Sequence, residues 1–127
     1  MAEHKPDTRS FKQRCELSEL RVNYGYPTHH VHWRMQLEAL LARTVFFPRR
    51  SARAHWIPYR GEGRLLDFGC GAGKFLQQMR ALGWTVEGLD ISETVAQRVE
   101  QATGITVLAG SLPNEHLAAE SFDCVTM

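Results

Sequence analysis

The chain has 127 residues and a formal net charge of +1, which fits a single modest domain. Its apolar runs fall far short of the ~20 residues that a membrane-spanning helix needs. The first ten residues are polar and lack the apolar core of a secretory signal. These features predict a soluble, cytoplasmic protein.

The small net charge conceals two halves of opposite sign. Residues 1–60 contain eleven Lys/Arg and five Asp/Glu, whereas residues 61–127 contain four and nine. A basic half is compatible with an anionic partner such as nucleic acid or phospholipid. Its arginines are dispersed, however, and only Arg49 and Arg50 are adjacent. We therefore favour a solvated helical face, and the anionic partner remains the alternative.

Three cysteines, Cys15, Cys70 and Cys124, are spread along the chain without a CxxC pair. Their odd number and wide spacing argue against a disulfide framework and against a structural zinc site. Cys70 lies in a glycine-rich segment. We interpret it as a small side chain that a tight turn tolerates, with a reactive thiol as the alternative.

The N-terminal region, residues 1–63, predicts a helical cap or linker. A short helix is expected at residues 11–20, and the sequence Tyr24-Gly25-Tyr26-Pro27 is typical of a turn. The apolar residues from Val31 to Phe46 recur at helical spacing and predict an amphipathic helix.

The expected boundaries of that second helix come from residue type. Thr28 is the expected N-cap, because Thr readily accepts from the first free backbone N–H groups. Pro48 is expected to end the helix, since proline has no N–H to donate. Residues 49–62, with one proline and one glycine, predict a loop.

Strands and helices alternate from residue 64 onwards. Ser92 is an expected N-cap, and Gly83 and Gly104 stand where glycines commonly close helices. Such alternation predicts an α/β fold with a parallel sheet. The predicted elements are a strand at 64–68, a helix at 74–82, a strand at 84–89, a helix at 93–102, and strands at 105–109 and 121–127.

The segment Asp67-Phe68-Gly69-Cys70-Gly71-Ala72-Gly73 joins the first strand to the first helix of this alternation. We expect Gly69 to permit the turn, Gly71 to admit a ligand, and Gly73 to let the helix pack closely on the strand. A dinucleotide fingerprint would carry Gly or Ala where this chain has Lys74. A carboxylate at Asp67 would also repel a pyrophosphate, but it suits a ligand with ammonium and sulfonium groups.

A second carboxylate supports this interpretation. Asp90 follows the second strand, 21 residues after Gly69. In an open α/β sheet, groups at the carboxyl ends of strands face the ligand crevice. A carboxylate there can accept hydrogen bonds from both hydroxyls of a ribose.

The pattern Asp-x-Gly-x-Gly-x-Gly, followed by Asp90, resembles the class I (Rossmann-like) methyltransferases, specifically their type 11/12-like domains. The resemblance implies a doubly wound sheet of strand order 3-2-1-4-5-7-6, of which this chain carries strands one to four. It also implies S-adenosylmethionine as cofactor. A nicotinamide or flavin site, and a glycine loop without a ligand, are the alternatives. The resemblance implies cofactor contacts from Asp67, Gly69, Cys70, Gly71, Gly73, Asp90, Ile91, Ser111 and Leu112.

Three of those positions follow strands two and three. Ile91 corresponds to the residue that packs on the adenine face, and Ser111 and Leu112 lie in the turn beside the adenine amine. Ser111 departs from the aspartate that is commoner there, which weakens the adenine assignment but not the fold. Asp123 resembles the aspartate that opens strand four, and we interpret it as structural rather than catalytic.

The resemblance covers residues 64–127, which we predict to be a cofactor-binding domain that stops after strand four. It implies a methyltransferase acting on a small-molecule or lipid-like acceptor, and no catalytic residue is assigned. Nucleic acid is disfavoured as a substrate, because the cap lacks interleaved aromatic and basic residues. The alternative is a non-catalytic or oligomerising fragment, closed by a second copy at the open edge of strand four.

The cap contributes one further hypothesis. His29, His30 and His32 are expected to be surface or capping residues, since no Cys or carboxylate accompanies them at metal-binding spacing. One of them, or Tyr24 or Tyr26, is a candidate to reach the carboxylate of the cofactor.

Overall fold

The protein is described by a computed structural model, which covers residues 9–28, 30–47 and 57–127. The chain divides into two compact units, Met1–Tyr59 and Arg60–Met127. The division falls between residues 59 and 60, whereas the sequence pattern changes between residues 63 and 64.

The N-terminal unit contains helix α1 (Phe11–Asn23), helix α2 (Trp33–Leu41) and a π-helical extension of α2 (Ala42–Phe46). Helix α1 is three residues longer than predicted at its C-terminal end. It begins with a capping box, in which Ser10 Oγ accepts from Gln13 N and Gln13 Oε1 accepts from Ser10 N.

Helix α2 packs against α1 through a small apolar core and one charged cluster. Glu38 accepts from Arg14 Nη2 at 2.9 Å and from Ser18 Oγ at 2.7 Å. Burial would raise the pKa of Glu38, but these two hydrogen bonds and the charge of Arg14 outweigh it, so the pKa is lowered. The buried apolar residues of the two helices are Cys15, Leu20, Met35, Ala39 and Ala42.

The prediction for the start of α2 was wrong. The helix begins at Trp33 with His32 as its N-cap residue, and no side chain caps it. Thr28 does not cap the helix, and its hydroxyl donates instead to the carbonyl of His30 at 3.5 Å. The predicted terminator, Pro48, and much of the predicted loop lie outside the described residues.

The predicted α-helix also changes form near its end. The N–H of Phe47 donates to the carbonyl of Ala42, five residues earlier, which defines the π-helical extension. The hydroxyl of Thr44 donates to the carbonyl of Leu40 at 2.7 Å. That side-chain bond competes with the regular ladder at this turn, which is how Ser and Thr commonly disturb helices.

The second unit has an α/β fold with a parallel sheet, as predicted. The strands of the sheet are β1 (Arg64–Phe68), β2 (Thr85–Asp90), β3 (Val107–Ala109) and β4 (Cys124–Thr126). Helix α3 (Lys74–Ala81) follows β1, and α4 (Glu93–Thr103) follows β2. The strand order is β3-β2-β1-β4 with every pair parallel. This order matches the first four strands of the predicted doubly wound sheet.

The bounds of β1, α3, β2 and α4 lie within one residue of those predicted. Ser92 Oγ accepts from Val95 N and caps α4, and Gly104 closes it in the left-handed region, at φ 66°. Strands β3 and β4 are shorter than predicted. The core of this unit is formed by apolar side chains of the strands, of both helices and of the loop before β3, and includes Leu65, Leu66, Leu76, Met79, Val86, Leu89, Ala96, Val99, Ile105 and Val107.

No helix of the described residues is long and apolar enough to cross a membrane.

Candidate functional site

The glycine loop lies at the carboxyl end of β1, the strand flanked by β2 and β4. Gly69 and Gly71 both adopt positive φ, at 78° and 51°. A Cβ on Gly69 would meet nothing within 4 Å, and one on Gly71 would meet only the carbonyl oxygen of Gly69, at 4.0 Å. The loop therefore faces open space at Gly69 and Gly71, and a ligand can approach the backbone there without meeting a side chain.

Gly73 contacts a different element from the one predicted. It is the N-cap residue of α3 at φ 71°, and a Cβ there would lie 2.5 Å from Cγ1 of Val99 on α4. The close approach to the sheet occurs at Gly88 of β2 instead. A Cβ on Gly88 would lie 2.9 Å from Leu76 Cδ1 and 3.0 Å from Cys70 Sγ. Gly88 was not among the predicted site residues, although a glycine inside a strand signals close packing.

Asp90 connects the loops that follow β1 and β2. Its Oδ2 accepts from the N–H of Gly71 at 3.1 Å, and its Oδ1 accepts from the N–H of Ser92 at 3.0 Å. The loop after β3 joins them, because the N–H of Gly110 donates to the carbonyl of Asp90 at 2.9 Å. A carboxylate has about four acceptor positions, so Asp90 keeps capacity for a ligand.

Asp67 is the other carboxylate of the site, and its side chain is largely enclosed. The residue is 8% exposed and accepts a hydrogen bond from Thr126 Oγ1 on β4 at 2.7 Å. No other hydrogen bond or ion pair reaches this carboxylate from the described residues. Its second oxygen, Oδ2, has no such partner and is not fully enclosed. Asp67 Oδ2 is thus available to a cationic group of a ligand.

The remaining predicted residues lie in the loops after β2 and β3, at the same edge of the sheet. Ile91, directly after Asp90, is 75% exposed, and Leu112 is 44% exposed. Ser111 borders a cavity of about 370 Å³. Sequence reasoning missed the other polar residues that line this cavity, namely Asn114, Glu115 and His116.

Cys70 is held as a packed thiol within the loop. The residue is 7% exposed, and burial raises the pKa of its thiol. The carboxylates of Asp90 and Asp67 raise that pKa further. A thiol that stays protonated is a poor nucleophile, which favours the packing interpretation over the reactive one.

Asp123 lies at the opposite end of the sheet, just before β4. Its Oδ2 accepts from the backbone N–H groups of Arg64 at 2.9 Å and Glu62 at 3.1 Å. The bond from the Arg64 backbone is the main reason why the pKa of Asp123 is lowered, and the Arg64 guanidinium adds to it. These contacts are structural, as we interpreted the residue from the sequence.

The cap residues proposed from the sequence are placed within the N-terminal unit. Tyr26 is buried, with its ring 5.4 Å from that of Tyr59, so it is a core residue of that unit. His30 and His32 border a cavity of about 540 Å³ together with Arg21. His29 lies outside the described residues.

Comparison with known proteins identifies the family. A model of the methyltransferase domain family matches residues 29–127, well over half of the chain. The chain therefore belongs to the methyltransferase domain family, which confirms the class I methyltransferase predicted from the glycine loop and Asp90.

Individual relatives match shorter stretches. A ubiquinone biosynthesis O-methyltransferase of Pseudomonas syringae pv. tomato is 36% identical over 83 residues, which cover 58% of this chain and 36% of that protein. A Geobacillus protein whose name assigns it to the methyltransferases is 35% identical over 72 residues, covering 54% of this chain and 29% of its own length. The chain thus spans about a third of the length of the curated relatives that it matches.

Similar proteins are also found among solved structures. The crystal structure of an S-adenosylmethionine-dependent methyltransferase from Mesorhizobium loti is 37% identical, with a TM-score of 0.49. The match covers 62% of this chain and 37% of that one.

Proposed function

We propose that the unit Arg60–Met127 binds S-adenosylmethionine. We propose further that the chain is part of a methyltransferase that transfers the methyl group to a small-molecule or lipid-like acceptor. The observation that carries this proposal is the bridge made by Asp90. Its carboxylate joins the glycine loop to the start of α4, at the edge of the sheet where open α/β folds bind ligands.

The donor and acceptor set of the site fits this cofactor. Asp67 Oδ2 has no partner among the described residues, so it offers a negative charge to an ammonium group. The space in front of Gly69 and Gly71 leaves room for the amino-acid part of the cofactor. A pyrophosphate would instead be repelled by the Asp67 carboxylate. Within residues 57–127, no cationic side chain forms an ion pair with Asp67 that would neutralise its charge. This contrast disfavours a nicotinamide or flavin cofactor.

Each site residue then has a role in binding. Asp67 holds the ammonium group, and Asp90 accepts from the ribose hydroxyls with the acceptor positions that it keeps free. The exposed side chains of Ile91 and Leu112 offer apolar surface to the adenine ring, and the hydroxyl of Ser111 lies in the same turn.

The bound cofactor supplies a methyl group that is already activated by the sulfonium charge. The protein therefore contributes mainly by orienting the two reactants, with a base where the acceptor must lose a proton. The acceptor class rests on the dispersed charge of the N-terminal region. It is also supported by the relative named as an O-methyltransferase of ubiquinone biosynthesis.

A second candidate function is assembly without catalysis. Among the described strands, β4 pairs only with β1, and Val125 in its centre is 51% exposed. An open edge of this kind can pair with a strand of another copy. Light scattering separates the two candidates, because a monomer that binds the cofactor would contradict an obligate assembly role.

The first test is calorimetric titration of the chain with S-adenosylhomocysteine, with NADH as the control ligand. We expect micromolar binding of the first ligand and none of the second. The cofactor proposal fails if a folded chain, verified by circular dichroism, binds neither ligand or prefers NADH. Methyl transfer by the full-length gene product, measured with a radiolabelled methyl group, then tests the activity.

A further inference from the structure

The side chain of Thr126 on β4 is directed at the carboxylate of Asp67. Thr126 Oγ1 lies 2.7 Å from Asp67 Oδ1, a short distance typical of a hydroxyl donating to a charged oxygen. The same hydroxyl oxygen lies 3.4 Å from the carbonyl of Leu66. A hydroxyl has one proton to donate, and the shorter contact to the carboxylate takes it.

The strand register makes this contact possible. Asp67 and Thr126 are directly paired across the parallel β1–β4 ladder, so their side chains lie side by side on one face of the sheet. Threonine branches at Cβ, which restricts its χ1 rotation and keeps the hydroxyl in place. The donor is therefore fixed by the sheet rather than by a loop.

This bond leaves the two oxygens of Asp67 in different states. Oδ1 is held by Thr126, whereas Oδ2 has no partner among the described residues and is not fully enclosed. A carboxylate held by one oxygen cannot rotate freely, so the direction of its free oxygen is set before a ligand arrives. Such preorganisation lowers the cost of binding a cation.

We infer that Thr126 is a positioning residue, which orients Asp67 to receive the ammonium group of the cofactor. The inference rests on the proposed function, because Asp67 must be the residue that meets the ammonium group. It adds a residue on β4 to a site whose expected members all lie in β1 and β2 or in the loops after β1, β2 and β3. Thr126 touches no reacting atom and acts only through Asp67.

The test compares Thr126→Val with Thr126→Ser in the full 127-residue chain. Valine keeps the branched shape but removes the hydroxyl, and serine keeps the hydroxyl. Calorimetry measures the affinity of each variant for two ligands. S-adenosylhomocysteine carries the ammonium group, and methylthioadenosine has the same nucleoside without the amino-acid part.

We expect Thr126→Val to weaken S-adenosylhomocysteine binding about tenfold, the effect of losing one hydrogen bond to a charged group. Binding of methylthioadenosine should change less than about twofold, and Thr126→Ser should restore the affinity for S-adenosylhomocysteine. Equal weakening of both ligands by Thr126→Val would indicate a merely structural role and overturn the inference. So would unchanged affinity for both ligands.

A double-mutant cycle tests the route through Asp67. Once Asp67→Asn is present, adding Thr126→Val should cost no further S-adenosylhomocysteine affinity, since the orientation of the carboxylate no longer matters. Additive losses would overturn the inference. Its failure is distinguishable from failure of the proposed function, because the latter appears as no S-adenosylhomocysteine binding by the unmodified chain. Val125→Ala, on the neighbouring residue of β4, is the matched control and should bind both ligands normally.

Discussion

The two ends of the sheet use aspartate in opposite ways. At the amino end, the carboxylate of Asp123 accepts hydrogen bonds from the backbone N–H groups of Arg64 and Glu62, which lower its pKa. At the carboxyl end, Asp67 and Asp90 each keep acceptor capacity beyond their protein bonds. The residue type is the same at both ends, so the position along a parallel strand decides whether an aspartate carboxylate is paired with backbone N–H groups or keeps acceptor positions at the edge where open sheets bind ligands.

The largest expected effect is at Asp90. Replacing it with alanine removes the acceptors that we propose for the ribose and releases the N–H of Gly71, so we expect S-adenosylhomocysteine affinity to fall about 100-fold. Calorimetry measures the change. Glu100→Ala, an exposed carboxylate on α4, is the matched control and should bind as the parent does. Retained affinity in Asp90→Ala would break the proposed division between the two ends.

A substitution at Gly73 tests whether the glycine loop must also pack closely against α4. In Gly73→Ala, the new Cβ would lie 2.5 Å from Val99 Cγ1 at a φ of 71°, so we expect a loss of about 2–4 kcal/mol in unfolding free energy. Denaturant titration measures it. Gly104→Ala has a similar φ of 66° with nothing within 4 Å, and it should lose only about 1 kcal/mol.

The difference between these two variants isolates the contact with Val99. Adding Val99→Ala to Gly73→Ala should recover part of the loss, because it removes the atom that the new Cβ meets. If Gly73→Ala and Gly104→Ala prove equally stable, the close approach of α3 to α4 does not limit this loop.

Asp123 should affect stability without selecting between ligands. Its lowered pKa means that the folded state favours the ionised form, so its contribution is complete above the unfolded pKa of ~3.9 and is lost as pH falls through the lower folded value. In Asp123→Asn, we expect a lower melting temperature at neutral pH and a smaller gap from the parent at acid pH. Thermal melts from pH 2 to pH 7 measure this gap. A gap that grows on acidification would contradict the assignment.

The smallest expected effect is at Ile91. Because its side chain is 75% exposed, Ile91→Ala should leave the unfolding free energy within about 0.5 kcal/mol of the parent. We expect S-adenosylhomocysteine affinity to fall about threefold to fivefold, since the apolar contact that we propose with adenine would be lost. Val125→Ala, at another exposed apolar position, should change neither quantity. An unchanged affinity in Ile91→Ala would remove this residue from the proposed adenine site.

Local sequence signals predicted the elements of the second unit well. The abrupt change from Phe68 to Gly69 marked the end of β1, and Ser92 and Gly104 marked both ends of α4. These signals act within a few residues, because caps and left-handed glycines satisfy the nearest backbone groups. The N-terminal region was predicted less well. Thr28 had the right chemistry for a cap, yet its hydroxyl bonds locally and α2 begins at Trp33.

The sequence by itself determined the order of elements, the parallel sheet, the glycine loop and the family. Only the tertiary structure decided which groups meet across strands and helices: Thr126 with Asp67, Asp123 with the N–H of Arg64, and Gly73 with Val99. Caps, turns and hydrophobic periods depend on neighbours in the chain, so they can be read locally. These three contacts join residues distant in sequence, and the strand register and helix packing that create them exist only after the sheet has formed.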